Sequence, residues 1–477
     1  MAASPLAPAW LNYPNDANEL NPALWAQGVS RLESGELALD GVGVRELAAR
    51  YGTPVFVMSE TDFRSRARAF RDAFNEAFAA EGGADVYYAG KAFLSLAVAS
   101  WMSEEGLRID TCSGGELLVA LRAGVDPAHI GLHGNNKSDA ELNRALEVNL
   151  GRIVVDSIDE LEHLAALAGA RGTVANVLLR LKPGVHAHTH EYIATAHEDQ
   201  KFGLSMLAED QDVSEAMRAV DIALGSDAIN LWGVHAHIGS QIFDPEGFEM
   251  AAVRLIDFLA DIAHRHRVQL PELDLGGGYG IAYTPEDTPR KVAEIAQAIA
   301  AVVRQRCAEA QLEVPRISIE PGRAIAGPST FTLYTAGVRK DVEVDVAGGT
   351  ATRRYLSVDG GMSDNPRPVL YDADYSAVLA SRASGAEPIL TRVAGKHCES
   401  GDIVVRSAYL PADAGRGDLI AVPGTGAYCW ALSSNYNYLG RPPVVALKDG
   451  ASRLIVRGEN EDDLLRRDVG ANEMGSE

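Results

Sequence analysis

From residue 85 onward the chain alternates between short continuous apolar runs and longer stretches whose apolar residues recur at intervals of three and four. Continuous runs rich in Val, Ile and Leu predict strands buried on both faces, and the three-and-four spacing predicts amphipathic helices. The strands fall at 85–92, 107–113, 130–134, 151–157, 176–183, 229–239, 272–278 and 316–322. The helices fall at 93–106, 115–124, 138–149, 158–169, 205–224, 245–266 and 288–310. Gly106, Gly124 and Gly169 are placed to end helices, and Ser138 and Ser205 to begin them. Eight strands with helices between them, spread over about 240 residues, predict an α/β fold of the (β/α)8 type, with a doubly wound open sheet as the alternative.

Past residue 330 the period changes from helical to strand-like. Strands are predicted at 331–338, 341–346, 353–358, 387–394, 403–410, 419–423, 443–448 and 453–457, with one short acidic helix at 459–467. The region 35–60, with a strand at 53–59, has the same character and is expected to join this second, all-β domain. The expected organisation is an extended arm over 1–30, strands of the β domain over 31–60, the barrel over 61–330 and the C-terminal β domain over 331–477.

Charge narrows the list of partners. The chain has 43 Lys and Arg against 66 Asp and Glu, a formal net charge of −23. Nucleic acid and anionic membrane both repel such a protein at long range. No apolar run approaches the roughly 18–20 residues that span a bilayer. Four scattered cysteines (Cys112, Cys307, Cys398, Cys429) form neither a CxxC metal site nor a disulfide framework. No basic residue precedes Arg31, so the n-region of a signal peptide is not visible, and a reducing cytoplasm is the expected compartment.

In a barrel, chemistry is expected where strands end. The first strand runs into Lys91; a lysine at an apolar barrel mouth is expected to be desolvated, which favours the neutral amine that attacks carbonyls. A surface lysine is the bland alternative. The seventh strand runs into Gly276, Gly277 and Gly278, a run that bare backbone approaching a phosphate would explain, as would a plain turn. The eighth ends in Glu320, whose burial demands a cation, either Arg323 or a ligand. The sixth ends in His235 and His237 on one face; a zinc site there lacks a third ligand at the right spacing. His186, His188, His190 and His197 form a second group, read as a solvated or substrate-covering loop. One ligand meets the demands of the phosphate-sized turn, the amine, a histidine against a flat ring and a carboxylate beside a basic nitrogen: pyridoxal phosphate.

Nine motifs in order, YYAGKAF (87–93), DTCSGGEL (110–117), HGNNK (133–137), KFGL (201–204), HAHIGSQ (235–241), DLGGGYG (274–280), EPGR (320–323), NPRPVLYDA (365–373) and CESGD (398–402), resemble the diaminopimelate decarboxylase family. That family shares a pyridoxal phosphate barrel and a β domain with alanine racemase and the eukaryotic-type ornithine decarboxylases. The resemblance implies that Lys91 holds the cofactor as an internal aldimine and that His237 stacks on its ring. It implies that Ser240, Gly276, Gly277, Gly278, Gly322 and Arg323 surround the phosphate, with Arg323 also a candidate for the substrate. Glu320 is implied to face the pyridine nitrogen, Arg367, Tyr371 and Glu399 the substrate, and Tyr428 both cofactor and substrate. Cys398 is implied to be the proton donor, reaching with Glu399 into the neighbouring subunit of a homodimer.

The implied reaction converts meso-2,6-diaminopimelate into L-lysine and carbon dioxide, the last step of lysine biosynthesis. An anionic Glu320 favours the protonated ring that accepts electrons, and Cys398 is a suitable general acid near its unperturbed pKa of about 8.5. Arg323 and Arg367 would pair the distal carboxylate and Glu399 the distal ammonium. The competing readings are a family member acting on carboxynorspermidine or a basic amino acid, a non-catalytic cofactor carrier, and a metal hydrolase built on His235 and His237.

Overall fold

The computed structural model describes residues 4–184, 200–208 and 213–470. The four-histidine group at 186, 188, 190 and 197 lies outside the described residues. The described parts of 64–280 and 289–325 form one compact unit, and those of 1–63, 281–288 and 326–477 form another.

Among the described residues of the first unit, eight parallel strands close into a barrel: Asp85–Ala89, Arg108–Thr111, Ile130–Leu132, Arg152–Val155, Ala175–Lys182, Ile229–His235, Glu272–Asp274 and Arg316–Ile319. Pairing of Ser318 with Asp85 and of Ile319 with Val86 joins the eighth strand to the first, which decides for the barrel over the open sheet. Seven of the eight strands stop two to four residues before the apolar pattern does, and the fifth stops one residue short. The reason is that residues past the strand ends remain buried as the chain turns over the barrel rim, Ile238 and Leu275 among them. Hydrophobicity therefore continues where the ladder has ended.

Helices differ from expectation in their ends and in one case in existence. Ser205 lies in a two-residue strand, Leu204–Ser205, and the helix Glu215–Leu224 is capped instead by Ser214, whose side chain accepts the N–H of Met217. Gly169 lies inside the helix Ile158–Arg171, which ends at Gly172 with φ +64°, a left-handed value that glycine adopts without a steric cost. A helix absent from the sequence reading, Glu60–Ala77, precedes the first barrel strand. Ser138 does cap its helix, in a reciprocal capping box with Glu141.

The second unit is built on a sheet ordered Ile403–Pro411, Pro388–Ala394, Gly349–Val358, Thr330–Val346, Val55–Ser59, Val444–Lys448 and Ala451–Val456. The N-terminal strand Val55–Ser59 runs antiparallel to Thr330–Val346 and parallel to Val444–Lys448. The early segment is thus a central strand of a sheet otherwise drawn from the C-terminal part. The predicted strands 331–338 and 341–346 are one strand, irregular in register between Ala336 and Arg339. The core here gathers Leu37, Leu39, Val55, Val57, Phe331, Leu333, Val445 and Leu447. Leu24 and Trp25, from the segment expected as an arm, pack into it, and the Trp25 and Phe331 rings meet edge to face at 5.7 Å. Ala282 joins the same core, which explains why 281–288 departs from the barrel range.

Candidate active site

Three loops at the barrel rim interlock through glycine. A Cβ on Gly276 would stand 2.4 Å from the carbonyl oxygen of Ala236, one on Gly277 2.2 Å from that of Glu320, and one on Gly278 2.6 Å from that of Gly239. Backbone hydrogen bonds tie the same loops: Glu320 N–H donates to Gly276 O (2.8 Å) and Ile242 N–H to Gly278 O (2.8 Å). The triple glycine therefore has a reason that spacing alone did not reveal, namely close approach of main chain to main chain. Gly276 N–H donates to Asp274 Oδ1 (2.7 Å) and Gly277 N–H to His237 Nδ1 (3.1 Å). Gly322 is pressed in the same way against Ala89 and Ala92 of the first strand's end.

This interlock brings the predicted barrel residues together. The imidazole of His237, an acceptor at Nδ1, is kept neutral: burial and then the nearby charge of Lys91 push its pKa well below the ordinary value. Arg323 is buried and donates from Nη2 to Ser240 Oγ at 2.8 Å. Arg323 was one of two cations, the other a ligand, that the sequence offered to Glu320, and the contact seen here is with Ser240. Glu320 instead has His235 Nε2 at 3.2 Å, His133 Nε2 at 3.3 Å and Arg152 Nη2 at 3.6 Å from its Oε1. Lys91 is exposed, so the expected dehydration of its amine is not found. The residue sits past the strand end in a turn closed by Ala92 N–H to Ala89 O (3.1 Å), at the open edge of the rim. Its charge nevertheless acts on Asp110, His235, His237 and Glu320.

Beneath these residues lies a charged network that the sequence reading missed. Arg152 reaches Asp274 (2.6 Å), Glu272 (2.7 Å) and Asp110 (3.4 Å), and its guanidinium lies 3.4 Å from the centre of the Tyr87 ring. Four buried carboxylates share this one guanidinium, so burial raises their pKa values, to about 6 for Asp110 and Asp274. Burial also lowers His235, to about 3. The signal was available: charges stood inside otherwise apolar strands, as in Arg152 of RIVV and Asp274 after Glu272 and Leu273. His133, His235 and Glu320 also bring three ligand atoms within 4.8 Å of one another. His237 is not part of that triad, and Arg152 already supplies a cation to the same carboxylate.

The β domain positions the remaining candidates. Arg367 opens the short helix Arg367–Tyr371 and is buried. Its Nη1 donates to Tyr375 Oη at 2.5 Å, and its guanidinium lies over the Tyr283 ring at 4.3 Å. A surface role for Arg367 is thereby excluded. Tyr371 is half-buried in the last turn of that helix. Tyr428, also half-buried, adopts φ +60°, a left-handed conformation that costs a non-glycine residue about 1–2 kcal/mol. Cys398 and Glu399 are exposed on the loop between Pro388–Ala394 and Ile403–Pro411. Among the described residues, no helix is long and apolar enough to cross a membrane.

Comparison with known proteins agrees with this geometry. The family described as pyridoxal-dependent decarboxylase, pyridoxal binding domain, matches residues 60–327. The chain is 50% identical over 459 residues to the diaminopimelate decarboxylase of Mycobacterium tuberculosis, covering 95% of this chain and 100% of that one. It is 48% identical to that of Corynebacterium efficiens, covering 95% of each. The crystal structure of diaminopimelate decarboxylase from M. jannaschii with L-lysine superposes with a TM-score of 0.85 at 30% identity, over 93% of this chain and 98% of that one.

Proposed function

From the premise that this chain belongs to the diaminopimelate decarboxylase family of pyridoxal-dependent decarboxylases, we propose that its barrel-rim loops hold the cofactor and its β-domain residues recognise and protonate the substrate. The reaction is decarboxylation of meso-2,6-diaminopimelate to L-lysine and carbon dioxide, with pyridoxal phosphate as cofactor. When bound, that cofactor supplies an electron sink for the pair left at Cα.

The residues fit the group. Glu320 Oε1 is buried, and His235, His133 and Arg152 at 3.2–3.6 Å are ion-pair contacts that do not complete a hydrogen bond to it, so a ring N–H is a donor this atom can use. Ser240 and Arg323 are paired beside the glycine interlock, where a phosphate would find a hydroxyl, a guanidinium and the nearby turns of Gly276–Gly278 and Gly322. His237 is neutral and fixed by Gly277, which suits it to cover a flat ring. Lys91, exposed at the rim, is accessible to an aldehyde. The observation that carries the reading is this convergence of Glu320, His237, Ser240 and Arg323 through three interlocked loops whose buried groups feel the charge of Lys91.

Arg367 has donors beyond the one spent on Tyr375, and with Tyr371 it meets the distal carboxylate of the substrate. Glu399 meets the distal ammonium, and Tyr428 touches both substrate and cofactor. An ornithine-like substrate would bring a cation against Arg367, which disfavours it by like-charge repulsion. Cys398 returns a proton to Cα. Its exposure, with that of Glu399, supports a homodimer in which this loop serves the neighbouring subunit. Four free cysteines support a reducing, cytoplasmic location.

The test is the visible spectrum of purified protein reconstituted with pyridoxal phosphate, recorded before and after adding meso-diaminopimelate, with lysine measured as product. Wild type should show bound-cofactor absorbance and stoichiometric lysine, and Lys91→Ala should lose both. Lysine production by Lys91→Ala at the wild-type rate would overturn the assignment.

A further inference from the structure

The final residue of the CESGD segment has no part in the chemistry above, yet it is the best-connected side chain of its loop. Asp402 is 3% exposed. Its Oδ2 accepts the backbone N–H of His397 (2.8 Å) and faces His397 Nδ1 (2.8 Å). Its Oδ1 accepts the N–H of Met362 (2.6 Å), its carbonyl accepts Gly395 N–H (2.9 Å), and its own N–H donates to Glu399 O (3.2 Å). One residue thus ties both ends of the loop to each other and to the neighbouring segment, where Lys396 N–H adds a bond to Gly360 O (3.0 Å).

The surroundings leave that carboxylate no freedom. A Cβ on Gly361 would stand 2.4 Å from Oδ1, and one on Gly395 2.1 Å from Oδ2. His397, buried, lies flat against Tyr436 with ring centres 5.5 Å apart and planes 2° from parallel. The next residue, Cys398, donates its N–H to Asn437 Oδ1 (3.0 Å), and Asn437 holds φ +52°. Cys398 is therefore anchored from beneath on both sides, through His397 before it and Asn437 at its own N–H, while its side chain stands exposed. A carboxylate that accepts two backbone N–H groups and meets an imidazole nitrogen at these distances in a closed pocket over-determines the loop it sits under.

We propose that Asp402, acting through His397, is a positioning residue for the Cys398 thiol and fixes the face from which the proton returns to Cα. The inference rests on the reading of Cys398 as proton donor. In that step the S–H bond breaks as the new C–H bond forms, and water then reprotonates the thiolate. The acid must lie within hydrogen-bond reach of the carbon it protonates, and displacement by about 1 Å costs about 100-fold. Decarboxylation turns Cα into a CH2 group, so direction is recorded only by isotope.

The experiment is turnover of meso-diaminopimelate in D2O by the cofactor-loaded full-length enzyme, with the configuration of the CHD group of lysine read by NMR after chiral derivatisation. Wild type should place deuterium in one position. Asp402→Asn should lower kcat about 10–100-fold with KM and cofactor absorbance retained, and should distribute deuterium over both positions as solvent reaches either face. Asn437→Ala, a change on an exposed residue, should produce a smaller mixture and decides alone if Asp402→Asn does not fold. A merely structural role would lower the unfolding midpoint without mixing the label. Stereopure label from both variants, with a mixture from Cys398→Ala, overturns the proposal while leaving the Cys398 reading intact. Stereopure label at the wild-type rate from Cys398→Ala removes that reading and the proposal with it.

Discussion

Glu320 stands at the end of a buried strand with His235, His133 and Arg152 within 3.6 Å, whereas Cys398 stands on an exposed loop held through its backbone N–H and its neighbours. The barrel fixes chemistry by surrounding each functional group with others. The β domain fixes it from below and leaves the group itself free. The difference matches what each must do: a bound cofactor needs a static cradle, and a proton donor needs a tip that reaches out. It also separates what substitutions should do, since barrel changes strike cofactor retention and stability, and loop changes strike turnover.

The sharpest test of that separation is Cys398→Ala. It should lower kcat by about 100–10,000-fold, the usual worth of a positioned acid, with cofactor absorbance and unfolding midpoint unchanged. Loss of absorbance in this variant would break the comparison. Arg152→Met is the reciprocal case. Removing the guanidinium that four buried carboxylates share should destabilise the protein by about 3–5 kcal/mol in urea unfolding and weaken cofactor retention. Arg367→Lys should be smaller: KM for meso-diaminopimelate should rise about tenfold or more while cofactor loading stays at the wild-type level. An unchanged KM removes Arg367 from the substrate site.

The effect that is smallest at any one step is a pH slope. His235 titrates at about 3 when folded against an ordinary 6.5, so the unfolded chain binds the extra proton between those values. The stability tied to its neutral form is complete above 6.5 and is lost as pH falls toward 3. Asp110 and Asp274, raised to about 6, act in the opposite sense: their contribution is full below their ordinary 3.8 and is lost as pH rises through 6. Those two are present in both proteins, so His235→Asn isolates the histidine. The free-energy difference between wild type and His235→Asn should shift in favour of the variant by up to about 1.4 kcal/mol per pH unit as pH falls from 6.5 to 4.

The same contrast explains what could be read from the chain. All eight barrel strands were legible because each centres on a short, mostly apolar run followed by a helical pattern, and the strand 419–423 of the β domain was found to the residue. Their ends were not legible, because Ile238, Leu275 and Gly276 stay buried in loops. Glu320, His237 and Lys91 could be proposed from position at strand ends. Arg152, His133 and Asp274 could not be placed, because their meaning depends on the several strands and loops that converge around them, a separation of up to 187 residues between His133 and Glu320 that no local pattern encodes. Glu60–Ala77 was missed although Phe70 and Phe74 recur at helical spacing and are buried, since polar residues dominate the rest of that stretch. Asp402 carries no local signal within its motif, because only the fold shows that His397, Met362 and Gly395 close on it.

The glycine contacts at the rim bear on any attempt to redesign this enzyme. The turns after the sixth, seventh and eighth strands meet at Gly276, Gly277 and Gly278, where the nearest atom to an added Cβ is in each case a backbone carbonyl oxygen that cannot turn aside. A turn transplanted alone from another barrel would meet its neighbours with a mismatched surface, so the three form a cassette to be exchanged together.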